Sequence, residues 1–212
     1  MPEVIAGVWV PDSSLAQEAT AVIRDTTNDL IFHHSRRVFL FGSLQAARLN
    51  LSPDPELLYV AALFHDTGLV APYRRTDQRF EVDGADAARA FLSRNGLTGP
   101  GADVVWAAIA LHTTPEVPYK MDPVIAATTG GVETDVLGIK LEALDASVIE
   151  EVTAVHPRPQ FKKAILAAFT DGFKDRPDTT FGTMNADVLE HFVPGFTRTS
   201  FVDVIENSAW PE

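Results

Sequence analysis

The hydrophobic pattern of this chain is that of helices. In "HHSRRVFLFGSLQAARL" the apolar residues Val38, Phe41, Leu44 and Leu49 recur near the spacing that gathers side chains on one helix face. Upstream, Asp12, Ser13 or Ser14 caps a helix running toward Leu30, which the histidine-bearing segment continues. "SPDPELLYVAALFHD" opens with Asp54 as N-cap and Pro55 at the first helical position, where a missing N–H costs nothing. "DGADAARAFLSRNG" closes on Gly96. "GADVVWAAIALHTT" is strongly apolar, and "DPVIAATTGGVETDVLG" again opens with Asp then Pro. "KLEALDASVIEEVTAVHP" and "RPQFKKAILAAFTDGFKDRP" are amphipathic and bounded by proline; "NADVLEHFV" and "TSFVDVIENSAW" close the chain. Period-two alternation never persists and no Asn-Gly hairpin occurs. The pattern predicts an all-α fold with a short hairpin at most. It predicts one domain over residues 1–212, with a core at about 25–140 and the helices of 141–212 packed on it. The longest irregular piece is "VAPYRRTDQRFEVDG", residues 70–84, and loops of that length are often functional.

Composition narrows the function. With 46% hydrophobic and 22% charged residues over 212 positions, the chain has the profile of an ordinary globular protein. It has no cysteine, which excludes disulfides and thiolate metal sites and fits a cytoplasmic setting. A formal net charge of -12 opposes polyanions, so no nucleic-acid partner is expected. The start, "MPEVIAGVWVPDSS", lacks the charged and apolar regions of a signal peptide, and no apolar run approaches a membrane span. The expected partner is a small-molecule substrate; self-association into a homo-oligomer stays open.

The chemistry concentrates at "AALFHDTGLV". An apolar helix, Ala61 to Phe64, ends in His65 and Asp66, followed by Thr67-Gly68, which reads as a helix stop. An imidazole and a carboxylate side by side at a buried helix end are either a solvated terminus or two arms of a metal site. His34 and His112 also sit in segments whose other faces are apolar, and Asp135 lies between Val132 and Val136-Leu137. A buried carboxylate needs a partner, and a divalent cation is one. His34, His65, Asp66 and Asp135 together make a shell of nitrogens and oxygens. Such a shell suits one transition metal, Zn²⁺ first and Fe²⁺, Mn²⁺, Co²⁺ or Ni²⁺ after it, better than Ca²⁺ or Mg²⁺. Spacing alone does not show that these residues meet.

Five segments in order, "HHSRRVFLFG", "AALFHDTGL", "RFEVDGADAARAFL", "AIALHT" and "DVLG", resemble the HD-domain superfamily of metal-dependent hydrolases. The finer likeness is to its cyanamide hydratase-like branch, extending more loosely to "RPDTTFGTMNADV". The superfamily's pattern of a His, a His-Asp pair and a distant Asp falls on His34, His65-Asp66 and Asp135. The resemblance implies a helical fold around a metal. With His112 the only histidine between the dyad and the last aspartate, it implies a single ion.

On this reading Asp66 and His112 are the catalytic residues. The cation activates water, and His112 is a further ligand or the group that moves a proton. Thr113 is expected to hydrogen-bond the substrate. Glu81 and Asp83 either orient ligands or bind an amino group, or simply solvate a loop. Arg37 either pairs with Asp66 or binds a substrate anion, and "RRTDQR" is a small basic patch or a solvated loop. Three functions follow. They are a hydratase or hydrolase of a small neutral molecule such as cyanamide or another nitrile-like compound, a phosphohydrolase of nucleotides or other phosphate esters, and a non-catalytic metal-binding module. The shape and charge of the cavity beside the metal separate them.

Overall fold

A computed structural model describes residues 3–210. It is all-α, with ten α-helices among the described residues and one hairpin of two-residue strands, β1 (Val4–Ile5) and β2 (Val8–Trp9), paired antiparallel. The helices are α1 (Ser14–Thr26), α2 (Asp29–Arg48), α3 (Pro55–Phe64), α4 (Phe80–Arg94), α5 (Pro100–Ala110), α6 (Pro123–Val132), α7 (Ala146–Val155), α8 (Phe161–Phe173), α9 (Asn185–Phe192) and α10 (Phe201–Glu206). None is long and apolar enough to cross a membrane.

The helix starts are set by side chains that accept from orphan backbone N–H groups. Ser13 caps α1 through Ala16 N at 3.1 Å, and Asp54 caps α3 through Glu56 N and Leu57 N at 2.9 and 3.0 Å. The predicted continuation of the first helix into the histidine segment is interrupted. Thr27 turns to extended backbone, and Asn28 then caps α2 through Ile31 N at 3.0 Å. The helix after the irregular stretch starts earlier than expected, at Phe80, so Glu81 and Asp83 lie in the first turn of α4 and the loop shrinks to 70–79.

The centre of the molecule is the pairing of α2 with α6, flanked by α3 and α5. The small residues of "AATTGG" explain how close the two helices come. A Cβ on Gly131 would stand 2.1 Å from the Val38 carbonyl oxygen, and one on Gly42 would stand 2.6 Å from that of Ala127. Two buried apolar clusters result. The larger joins α1 to α6 through residues such as Ile23, Leu40, Leu63, Phe91 and Val105. The smaller, with Ile31, Leu69, Phe80, Phe161, Ile165, Phe173 and Leu189, docks α8 and α9 onto the start of α2, the turn after α3 and the start of α4. The polar helix ends carrying the histidines lie where the two clusters meet.

Gly131→Ala is therefore expected to force α2 and α6 apart. Overpacking against a fixed backbone oxygen costs on the order of 2 kcal/mol, which corresponds to a melting temperature lower by roughly 5 °C in a chain of this size. Thermal unfolding followed by circular dichroism checks this, and an unchanged transition would mean that the crossing is looser than described.

Candidate metal centre

His65 is the C-cap of α3, and its ring turns back so that Nδ1–H donates to the Ala62 carbonyl at 2.8 Å. His112 repeats the device one residue past the C-cap of α5, Leu111, with Nδ1–H donating to the Ile109 carbonyl at 2.6 Å. These carbonyls belong to last turns, which lack intrahelical partners. The helix ends thus fix both imidazoles as the tautomer with a lone pair on Nε2. His34, in the second turn of α2, reaches the same state by another route: its Nδ1–H donates to Asp135 Oδ2 at 2.6 Å.

The Nε2 atoms of His34 and His65 lie 3.1 Å apart. Asp66 Oδ2 stands 3.4 Å from the first and 3.3 Å from the second, and His112 Nε2 stands 3.6 Å from Asp66 Oδ1. All four side chains are buried. Neither oxygen of Asp66 has a hydrogen-bond donor. Burial raises its carboxyl, but positive charge shared among His65, His112 and His34 holds it well below the usual carboxylate range, protons on the rings supplying that charge where no metal ion does.

The centre is thus a set of inward lone pairs around an ionised carboxylate, a set that repels itself unless a cation joins it. The spacing fits: ligands about 2.1 Å from a tetrahedral ion lie about 3.4 Å from one another. The ring anchors also fit, since ligating histidines characteristically donate their second nitrogen to a carboxylate or carbonyl. His34, His65 and Asp66 can hold a divalent metal, with His112 beside Asp66.

Asp135 takes a different place from the one expected. A π-helical turn, Glu133–Leu137, aims it at the far side of His34. Arg37 grips it with Nε on Oδ1 at 2.8 Å and Nη2 on Oδ2 at 3.0 Å, and Arg158 Nε stands 3.0 Å from Oδ1. Its lone pairs are engaged, so it orients His34 and does not face the centre. Burial raises its carboxyl, and His34 and Arg37 together pull it far below the ordinary value. Arg37 is likewise withdrawn from substrate, and the carboxylate it pairs with is Asp135 rather than the expected Asp66. Its remaining nitrogen donates to the His156 and Pro157 carbonyls at 3.1 and 2.9 Å, and its guanidinium lies over the Phe161 ring.

Asp83 is structural as well. It accepts from Arg75 N at 3.0 Å, from Gln78 Nε2 at 2.7 Å and from Arg176. Buried Arg176 also donates to the carbonyls of Gly68, Gly172, Arg75 and Gln78, which pins loop 70–79 to the body. The arginines of "RRTDQR" are engaged within the chain: Arg74 on the Asp171 carbonyl, Arg75 on Asp77 and Arg79 on Glu81. Gly68, expected as a helix stop, serves a close approach instead, since a Cβ there would meet the Phe80 carbonyl oxygen at 2.0 Å. Glu81 accepts from Arg79 and from the Thr113 hydroxyl, at 2.8 and 2.6 Å, and does not line the cavity at the centre.

That cavity, about 280 Å³, is floored by His34, His65, Asp66 and His112. Its walls include Thr113, Glu133 and Asn185 among apolar side chains such as Val132, Leu166, Phe169 and Val188. No lysine or arginine lines it. The cations Arg48, Lys120 and Lys140 line an adjoining groove of about 470 Å³, which shares Glu133 and Ile139 with the cavity and includes none of its histidines. Asn185, Glu133, Arg158 and Arg176 are the participants that sequence reasoning missed. Asn185 lies in "FGTMNADV", inside the loosely matching segment, which was its only signal.

A sequence model of the HD domain matches residues 31–155, more than half of the chain and the span that carries all of these histidines and both aspartates. No curated protein matches the chain. The chain belongs to the HD-domain family, whose members are in general metal-dependent hydrolases.

Metal titration of chelator-treated protein separates the two aspartates. Asp66→Ala is expected to lose most binding. Asp135→Asn is expected to keep about one equivalent with affinity lowered roughly 10–100-fold, the usual effect of altering a group that orients a ligand. Equal, complete loss in both variants would return Asp135 to direct ligation.

Proposed function

We propose that the chain adds water to a small uncharged substrate, with cyanamide or a related nitrile-like compound as the first candidate. The observation that carries this reading is the cavity itself. It is small and largely apolar, it contains the carboxylates of Asp66 and Glu133, and it lacks any cationic side chain. Phosphate recognition rests on charge-assisted bonds from Arg or Lys, and the arginines nearest the centre are turned away from it. The formal charge of -12 gives no long-range steering to nucleotides either.

His34, His65 and Asp66 would hold the metal. A divalent cation in such a site supplies Lewis acidity and makes water a usable nucleophile near neutral pH. The chain's own contribution is His112. With Nδ1–H committed to the Ile109 carbonyl, only Nε2 can exchange a proton on the cavity side. It accepts the proton that water loses as its oxygen bonds the nitrile carbon, and it returns that proton to the nitrogen as the triple bond opens. Water is added across the bond with no leaving group. The apolar walls formed by Val132, Phe169 and Val188 keep bulk water from competing with this transfer.

The deciding assay incubates metal-loaded protein with cyanamide and, in parallel, with nucleoside monophosphates, following urea and inorganic phosphate. Urea that depends on Asp66 is expected. Asp66-dependent phosphate without urea would replace this proposal with a phosphohydrolase.

His112→Ala is expected to lower turnover by roughly 10²-fold or more while the metal content stays near wild type. Loss of the metal along with the rate would make His112 a ligand instead.

A further inference from the structure

We propose that Asn185 and Thr113 form an acceptor subsite that admits substrates bearing an N–H group and disfavours those without one. This rests on the cavity being the substrate site, as the proposed function has it, and it narrows the substrate class from nitrile-like molecules at large to amino-bearing ones.

Glu81 is fully buried at the start of α4. Burial raises its carboxyl, but hydrogen bonds and charge from Arg79, with help from His112 and Thr113, pull it below its ordinary value. An ionised carboxylate can only accept. Whatever meets it must therefore present a hydrogen, and that requirement fixes two otherwise ambiguous groups. The Asn185 side chain must turn its nitrogen to Glu81, with Nδ2 donating to Oε1 at 3.0 Å. The reverse assignment would set two oxygens against each other, so the orientation follows from chemistry and not from the shape of the amide. The Thr113 hydroxyl must give its only proton to the same oxygen, at 2.6 Å.

Both residues line the cavity. With the Thr113 proton and one amide hydrogen of Asn185 given to Glu81, unfilled acceptors remain: Oδ1 of Asn185, to which no group of the described protein donates, and the oxygen of Thr113, which otherwise accepts only a long 3.4 Å approach from Arg79; the second Nδ2 hydrogen of Asn185 has no acceptor among the described residues. The Nε2 atoms of His34 and His65 and the Asp66 carboxylate face inward as acceptors and would hold the cation, while His112 presents its Nε2 for proton transfer. The polar groups of the cavity wall, to which the Glu133 carboxylate also belongs, are thus mainly acceptors, with the second amide hydrogen of Asn185 as the one further donor among them. A ligand that fills this space satisfies the acceptors only by bringing its own N–H. Cyanamide, ureas and amides do so at one end, whereas simple nitriles and N,N-dialkyl compounds do not. A site built to pair a polar hydrogen discriminates strongly against an analogue that lacks it, because its own buried groups are then left unpaired.

The experiment needs no turnover. Binding of urea and acetamide to the metal-loaded chain is compared with that of tetramethylurea and N,N-dimethylacetamide by ligand-observed NMR titration. Wild type is expected to hold the N–H compounds about tenfold or more tighter. Asn185→Leu keeps the side-chain volume and is expected to shrink that preference to roughly twofold. Thr113→Val, an equally small change of shape, is expected to shrink it part of the way, which covers the case in which Asn185→Leu folds poorly. Equal binding of the two sets by wild type, or no binding of either, overturns the proposal, and so does an undiminished preference in the variants. The two readings fail separately. If cyanamide gives no urea while the N–H preference holds, the hydratase reading falls alone. If dimethylcyanamide is hydrated as fast as cyanamide, the subsite falls alone.

Discussion

The centre depends on one buried carboxylate that never faces it. Asp135 gathers His34 from α2, Arg37 one turn further along α2 and Arg158 from the segment after α7. Buried and ionised, it has all its partners supplied by protein groups. Removing a single partner from such a set usually costs about 3–5 kcal/mol, because an unpaired charge remains in a poor dielectric. The geometry of His34 follows from this pairing, and so does the path of the chain at 156–158, whose carbonyls close around Arg37. Phe161 packs beside both His34 and the two guanidinium groups, so the docking of α8 is tied to the same knot.

The sequence made the local features legible. Caps such as Ser13 and Asp54, the proline-led helix starts and the all-α class can be read because each depends on neighbours a few residues away. The break at Thr27 and Asn28 escaped because apolar residues run through it, although Asn28 is itself a good cap. The His65-Asp66 pair and His34 were identified by residue type on apolar helices, with the family resemblance joining them. Asp135 was singled out for a sound reason, that a buried carboxylate needs positive charge nearby. In the structure its partners are His34, Arg37 and Arg158, and nothing in the spacing tells a metal ion from a guanidinium. The π-helical turn that decides between them leaves no mark in hydrophobic periodicity.

The remaining omissions share a cause. Arg158 and Arg176 sit beside prolines in "HPRPQ" and "KDRPD", where they look like helix punctuation. Their roles exist only once distant carbonyls and carboxylates have been brought together. Loop 70–79 shows the converse: its length suggested a functional loop, yet buried Arg176 and Asp83 hold it down as part of the frame. Asn185 is invisible from sequence for a further reason. Its significance lies in which end of its amide faces the cavity, and Glu81, more than a hundred residues earlier, decides that.

The three ring anchors differ in kind, and this bears on how the centre can change over generations. His65 and His112 lean on the backbone oxygens of Ala62 and Ile109. Those oxygens are present whatever side chain the codon specifies, so point mutation at the anchoring positions cannot withdraw them. His34 leans on a side chain, and one base change can turn that carboxylate into an amide. Heritable variation in the electron-donating power of the histidines should therefore gather at position 135, while the other two imidazoles stay insulated from drift.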